Sequence, residues 1–256
     1  MRNLLTGLSA LALATAATPA FAQDETDPPS PITVSGSVAI VSDYKFRGIS
    51  QTDGNFAVQG GVTVSHESGF YIGAWGSSID DYVTAHGTAH QELDLIAGFK
   101  TTSGGATFDI GAIYYVYPGT RLPGDASSSD FIEPYASVAY AIGPVTAKAS
   151  AAYAPKQKAL ALNQIGPKND NFYIAGDLSA TIPNTPIGVS AHLGHTFGPS
   201  WLAIGKEYTD WSVGATYTLK SLTFGVSYVD TDGDFITPTG KNASKGAVLG
   251  SVSVAF

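Results

Sequence analysis

From residue 32 to the C-terminus the chain is a succession of segments about ten residues long in which apolar and small or polar side chains alternate with a period of two. That is the periodicity of a strand with two different faces. Segment 145–154 sets Val145, Ala147, Ala149, Ala151 and Tyr153 against Thr146, Lys148 and Ser150. Segment 187–197 sets Ile187, Val189, Ala191, Leu193, His195 and Phe197 against Gly188, Ser190, His192, Gly194 and Thr196. Segment 221–230 does the same with Leu222, Phe224, Val226 and Tyr228 against Thr223, Gly225 and Ser227. About twelve such segments are bounded by Gly, Pro, Asn, Asp or Ser: 32–46, 55–66, 69–79, 91–101, 105–117, 131–142, 145–154, 171–182, 187–197, 207–219, 221–230 and 246–256. None carries an apolar stripe of helical period.

Two architectures produce this pattern. A soluble sandwich or barrel buries the apolar face and exposes a face rich in Lys and Glu, whereas a transmembrane barrel turns the apolar face to lipid and tolerates small polar residues inside. Here the second face is Gly, Ser, Thr and Ala with isolated charges, and the segment length matches the roughly 9 to 11 tilted residues that cross a bilayer. The connections discriminate further. Those at 67–68, 103–104, 143–144, 183–186 and 220 are tight turns, and those at 47–54, 80–90, 118–130, 155–170, 198–206 and 231–245 are long. Strict alternation of short and long connections, with an even strand count, predicts an all-β, up-and-down antiparallel transmembrane β-barrel of about twelve strands with short periplasmic turns and long outer loops.

Composition agrees. Only 13% of the 256 residues are charged, there are 29 Gly, and the formal net charge is -8. Roughly 25% charge is usual for soluble domains. Aromatic and β-branched residues are too regular for disorder. The absence of Cys excludes disulfides, thiolate metal sites, cysteine nucleophiles and an acylated-cysteine lipid anchor. The acidic balance, without clustered Lys or Arg, excludes nucleic acid as a partner.

Residues 1–22 have the form of a signal peptide: Arg2, an apolar stretch from Leu4 to Ala17, and Ala20-Phe21-Ala22 as the cleavage site. This predicts export, in a Gram-negative cell, of a mature chain beginning at Gln23. Residues 23–31, acidic and Pro-rich, form a flexible periplasmic lead-in, and residues 32–256 form the barrel. After the leader no apolar run is long enough for a membrane helix.

Several strings resemble the TorF porin family, also described as the Gcw_chp domain of unknown function. They are Val41-Ser42-Asp43-Tyr44-Lys45-Phe46-Arg47-Gly48-Ile49-Ser50-Gln51, Gln59-Gly60-Gly61, and His66-Glu67-Ser68-Gly69-Phe70-Tyr71 with Gly73 and Trp75. Further on come Glu92 and Asp94 with Gly98-Phe99, Tyr114-Tyr115 with Tyr117-Pro118-Gly119, Glu133 with Tyr135, Asp210-Trp211 with Gly214, and Tyr228-Val229-Asp230-Thr231-Asp232. The resemblance runs from about Ser35 to the end, and the first string is its most specific part. It implies an outer-membrane barrel and a pore function proposed for the family, and it supplies neither a substrate nor catalytic residues.

Asp43, Lys45 and Arg47 share one parity, opposite to Tyr44 and Phe46, so they are expected to project together into the lumen near the outer end of the first strand. There they either select ions or pair with neighbouring strands to hold the wall. Asp94, Lys100, Asp109, Glu133, Lys148, Asp177, His192 and Asp210 fall on lumen parity as well and complete the candidate pore lining. Tyr114, Tyr117, Tyr140, Tyr153, Trp211, Tyr217 and Tyr228 fit an interfacial girdle. Three other constellations carry less. His86 and His90, beside Asp80 and Asp81, would ligate a metal only on a helix, which the sequence there does not favour. Asp230, Asp232 and Asp234 have a calcium-loop flavour, but Gly233 is misplaced and the closing Glu is lacking, so a mobile acidic loop is expected. His66 and Ser68 could serve as base and nucleophile of an outer-membrane enzyme, yet no third orienting group is identifiable.

The expected function is passive diffusion of small hydrophilic solutes through a porin-like channel of the cell outer membrane, with no enzyme activity, cofactor or metal. The expected partners are outer-membrane lipid, the transported solutes, and the barrel assembly machinery through a last strand ending at Phe256. Twelve strands lie between barrels filled by side chains and wide channels, so a loop such as 155–170 folding inward would close the lumen. A closed outer-membrane barrel with a structural or surface-interaction role is therefore the alternative, with an outer-membrane enzyme or a soluble periplasmic barrel behind it.

Overall fold

The computed structural model describes residues 30–84, 88–120, 128–163 and 166–256. The expected leader, most of the lead-in and His86 lie outside the described residues. Fourteen strands are present, two of them very short. The twelve long ones are β1 (Ile32–Val41), β4 (Ala57–His66), β5 (Phe70–Ser78), β6 (Gln91–Ser103), β7 (Ala106–Val116), β8 (Phe131–Ile142), β9 (Val145–Gln157), β10 (Asn169–Thr181), β11 (Ile187–Phe197), β12 (Tyr208–Leu219), β13 (Leu222–Thr231) and β14 (Ala247–Ala255). Each pairs antiparallel with its chain neighbour, and β14 returns to β1 (Ser37 opposite Ala255, Val41 opposite Ser251), closing a twelve-strand barrel. Phe256 completes the seam with main-chain hydrogen bonds to Gly36 in both directions, at 2.9 and 3.0 Å. Closure leaves no free sheet edge, which a strand protein needs in a medium that cannot hydrogen-bond its backbone.

The period-two pattern determines which face is which. Val38, Ile40, Val58, Ile72, Val213 and Val226 point outward and are exposed, so the wall presents an apolar exterior. Exposed apolar area on that scale is incompatible with water and suits lipid. The inward residues of the same strands are mostly Ser, Thr, Gly and Ala, with Tyr71 and Trp75 on β5 and a limited set of charges. Tyr114, Tyr140, Tyr153, Trp211, Tyr217 and Tyr228 of the expected girdle are on the exterior. Tyr117 is not: it lies buried one residue beyond β7 and donates to Glu92 inside. Tyr117 has the inward parity of Asp109, Ile113 and Tyr115, so the alternation itself places it inside, opposite to Tyr114.

The first segment departs furthest from expectation. It does not run as one strand to residue 46. β1 stops at Val41, and residues 42–56 turn into the outer half of the barrel as a small hairpin of β2 (Lys45–Phe46) and β3 (Ile49–Ser50), Lys45 opposite Ser50 and Phe46 opposite Ile49. Its turn residues Arg47 and Gly48 both have positive φ, +48° and +80°, the conformation of the two-residue turns that match strand twist. Gly48 is required there for a second reason, because a Cβ would meet the Cβ atoms of Thr231 and Asp210 at 2.9 and 3.0 Å. Tyr44 and Phe46, expected on the lipid side, are inside: Tyr44 packs edge-on against Trp75 (5.6 Å), and Phe46 edge-on against Tyr115 (6.2 Å).

Outer connections reinforce this plug. The 155–170 connection does dip inward, its 3-10 turn Lys158–Leu160 placing a fully buried Leu160 in one apolar cluster with Tyr44, Trp75, Tyr115 and Phe131. It is the backing of the plug, not the plug itself. The 230–234 segment is held by hydrogen bonds, since Asp230 accepts from Tyr228 and the Thr231 amide, and Asp232 from the Thr209 amide. No helix among the described residues is long and apolar enough to cross a membrane, and the barrel crosses with strands.

Candidate functional site: the plugged lumen

The inward charges form pairs that cross the wall and the plug. On the hairpin, Asp43 accepts from Ser50 and Thr52 hydroxyls (2.6 and 2.9 Å) and thereby folds the segment back on itself. Lys45 Nζ donates to the carbonyls of Gly48, Ala243 and Lys245 at 3.1, 3.1 and 2.9 Å, tying the hairpin to the loop before β14. Burial lowers its pKa, and Asp43 and Asp230 oppose that. Arg47 Nη2 donates to both carboxylate oxygens of Glu133 on β8, at 2.8 and 2.7 Å. Burial alone would disfavour the guanidinium charge, but Glu133 outweighs it and raises the pKa, so Arg47 stays cationic. The guanidinium lies 4.1 Å from the centroid of the Tyr173 ring and 4.7 Å from that of Phe46. In the amide orientation that satisfies both its ends, Asn171 accepts from Nη1 at 3.2 Å.

Asp43, Lys45 and Arg47 therefore do not form a ladder on strand one. They belong to the plug, and they point to three different partners. The alternation supposed a continuing strand, and the turn at 42–44 breaks it.

The wall residues group into further sets. Lys100 pairs with Asp109 across β6 and β7 (3.3 Å), and Asp109 also accepts from Tyr71 (2.6 Å), whose hydroxyl contacts that of Tyr135. These tyrosines cross the lumen face of the sheet where Gly98 and Gly111 leave room, a Cβ on either falling within a phenol ring. His192 on β11 lies between Asp177 (2.7 Å) and Asp210 (3.1 Å), with Tyr173 hydroxyl 2.9 Å from its Nε2. Lys148 stands opposite Asp177 in the β9–β10 register. Asp94, 3% exposed on β6, has an Oδ1 without a hydrogen-bond partner. Two residues away, Glu92 accepts from Tyr44 and Tyr117 hydroxyls, both at 2.9 Å. Glu92 and the tyrosines Tyr44, Tyr71, Tyr115, Tyr135 and Tyr173, absent from the expected lining, are central to it. The signal for Glu92 was in the sequence, since it shares the parity of Asp94.

Below the hairpin the lumen retains a cavity of about 200 Å³, lined by Ser37, Gln59, Ser212, Ser227, Ser251 and Ser253 among others. Arg47, Glu133, Lys148, His192 and Asp210 also face it.

The remaining constellations are at the periphery. His66 Nδ1 lies 2.7 Å from Ser68 Oγ and accepts from the Ser68 amide at 3.2 Å, an exposed turn in which the ring caps the backbone. Among the described residues no acid is hydrogen-bonded to that imidazole. His90 pairs with Asp81 at 2.9 Å, both exposed, and its supposed companion His86 lies outside the described residues.

A closed twelve-strand barrel with an apolar exterior, a polar interior and an inward loop is the architecture of porin-type outer-membrane proteins. The chain belongs to the Gcw_chp family of bacterial proteins of unknown function, whose profile matches residues 25–255. No curated protein matches the sequence. Among solved structures it is similar to a membrane protein from work on in-meso crystallization (10% identity, 87% of this chain and 83% of that one, TM-score 0.52). It is also similar to an outer-membrane channel of Pseudomonas putida F1 (11%, 90% and 99%, TM-score 0.45). A third is the outer-membrane channel DcaP of Acinetobacter baumannii (12%, 88% and 97%, TM-score 0.42). At these identities the likeness is one of fold.

Proposed function

We propose that this protein is an outer-membrane channel of porin type, which passes small hydrophilic solutes passively and is constricted by its own 42–56 hairpin. The reading extends its resemblance to the TorF porins to the whole chain, with export through a cleaved leader and assembly directed by the strand ending at Phe256. The observation that carries it is the unfilled lumen, a cavity of about 200 Å³ bordered by the 42–56 hairpin, inside a lipid-facing barrel. On one side Ser37, Ser212, Ser227, Ser251 and Ser253 border it, small side chains that leave the space unfilled. A barrel built only for stability fills its interior with side chains. Passage needs no chemical step: selection rests on size and on electrostatics at the constriction. Among the described residues no set supports catalysis, and the reading calls for no cofactor.

A second reading, a closed structural barrel, is favoured by the packing of Tyr44, Trp75, Tyr115, Phe131 and Leu160 around the hairpin. Planar-bilayer recordings of the refolded mature chain separate the two. Stable conductance steps, with swelling of vesicles in small sugars, support the channel. Folded and inserted protein that gives neither, in wild type and in Arg47→Ala alike, establishes the closed barrel instead.

A further inference from the structure

The wall niche that receives Arg47 is complete without the hairpin. Glu133 comes from β8, Tyr115, which donates to Glu133 Oε2 at 3.3 Å, from β7, and Asn171 and Tyr173 from β10. Together they offer a carboxylate and an amide oxygen to the two edges of a planar cation and an aromatic ring to its face. That combination recognises a guanidinium and is poorly matched to an ammonium, which has neither a flat face nor in-plane donors. The niche opens on the chamber, since Arg47, Tyr115, Glu133 and Tyr173 all border it.

The occupant, in contrast, is not part of the wall. Arg47 is presented by a hairpin with only two residue pairs and sits at φ +48°, in the left-handed region that a side-chain-bearing residue adopts at a cost. If the hairpin leaves, Glu133, 2% exposed, becomes an unpaired buried carboxylate, a state that strongly favours a replacement cation. Asp94, with its unpartnered Oδ1, lies within electrostatic reach of Glu133. Six carboxylates on the wall (Glu92, Asp94, Asp109, Glu133, Asp177 and Asp210) face Lys100, Lys148 and His192, so removing Arg47 and Lys45 from the lumen leaves it the more attractive to cations.

Resting on the channel reading, we propose that Glu133, Asn171, Tyr115 and Tyr173 form a binding site for guanidinium-bearing organic cations. Arg47 occupies it in cis as a surrogate ligand, so that such a solute competes the hairpin out and opens its own path.

The test uses agmatine as the guanidinium probe and putrescine, a diamine without one, as the control. In bilayers holding the wild-type chain, millimolar agmatine is expected to raise open probability about tenfold and putrescine to leave it unchanged. In Arg47→Ala the channel is expected to be open without ligand, so that agmatine, with no hairpin arginine to displace, leaves open probability unchanged. Adding Glu133→Gln to that variant should weaken agmatine binding at least tenfold. Equal responses of the wild type to agmatine and putrescine, or no response in wild-type channels that conduct, would overturn the site. Should folded and inserted Arg47→Ala conduct nothing, the channel reading fails by itself. The niche is then decided by calorimetry in detergent: agmatine binding at least tenfold weaker to Arg47→Ala/Glu133→Gln than to Arg47→Ala sustains it, and equal binding overturns it.

Discussion

The barrel wall divides into two arcs of different character. From β6 to β12 every strand projects at least one ionisable side chain inward: Glu92, Asp94, Lys100, Asp109, Glu133, Lys148, Asp177, His192 and Asp210. Over β13, β14, β1, β4 and β5 the inward side chains are uncharged, with Ser35, Ser37, Gln59, Thr63, Ser227, Ser251 and Ser253 prominent. The single acid of those strands, Asp230, sits on the outward parity beside Tyr228. The hairpin emerges from β1 in the uncharged arc, rests its Gly48 against β12 and β13, and sends Arg47 across to β8 and β10 in the charged one. The difference teaches a division of labour. The charged arc supplies fixed partners at hydrogen-bond distance, which hold a plug in place, and the uncharged arc, apart from Tyr71 and Trp75 on β5, supplies space, because Ser, Gly and Ala leave the lumen unfilled.

The largest effect should come from the packing behind the plug. Leu160→Ala removes a fully buried side chain from the cluster around Tyr44 and should cost about 2–5 kcal/mol, read as a lower urea midpoint in vesicles. Ser227→Ala in the uncharged arc should fall within about 0.5 kcal/mol of wild type. Comparable losses at both positions would mean that the arcs do not differ as described.

Next comes a substitution pair on β13. Val226 is 52% exposed on the exterior near mid-strand, and Ser227 faces the lumen. Val226→Arg should destabilise the inserted barrel by roughly 2–4 kcal/mol. Ser227→Arg should leave stability nearly intact and lower cation permeability, measured as a shifted reversal potential. If instead the lumen variant is the destabilised one, the two faces have been exchanged. Smaller again is Gly48→Ala. A positive φ together with contacts at 2.9 and 3.0 Å should cost about 1–3 kcal/mol. The loss should be confined to the plug: channel openings lengthen while the barrel's unfolding midpoint hardly moves.

Most of the wall was legible in the sequence, because a two-sided strand must alternate and a closed barrel repeats that constraint twelve times. Segment 187–197 coincides with β11 and segment 131–142 with β8. Alternation fails where the chain leaves the wall. Residues 42–46 alternate as well as any strand does, yet Asp43 can accept from Ser50 and Thr52, and Arg47-Gly48 can make a turn of positive φ. Those interactions are local, and they only win because Glu133, 86 residues further on, receives the arginine. Nothing in the spacing of Arg47 and Glu133 announces that pair. Tyr44 misleads for the same reason, since it has the parity of the outward Val38 and Ile40 yet turns in to meet Glu92, whereas the parity of Tyr117, that of Asp109 and Tyr115, already places it inside.

The smallest effect separates the outer loop layer from the wall below it, through Asp53. Its carboxylate accepts from Thr237 (3.1 Å) and Thr239 (2.8 Å) and pairs with Lys241 (3.3 Å), so the plug segment is tied to the connection before β14. Burial by itself raises its pKa, but the hydrogen bonds from Thr239, Lys241 and Thr237 outweigh that and hold it below the ordinary carboxylate value. A free aspartate titrates near about 3.9, so the unfolded segment takes up a proton before the folded one does. The tie is therefore fully present above about pH 4 and is lost as pH falls through the depressed folded value. Hydrogen exchange at pH 6 and pH 3 should show the amides of 50–55 and 237–243 losing protection at the lower pH while β6 to β12 retain theirs. Asp53→Asn, which has no carboxylate to titrate, should flatten the change. If the variant loses protection over the same pH interval as wild type, the loop layer is held by something other than this charge.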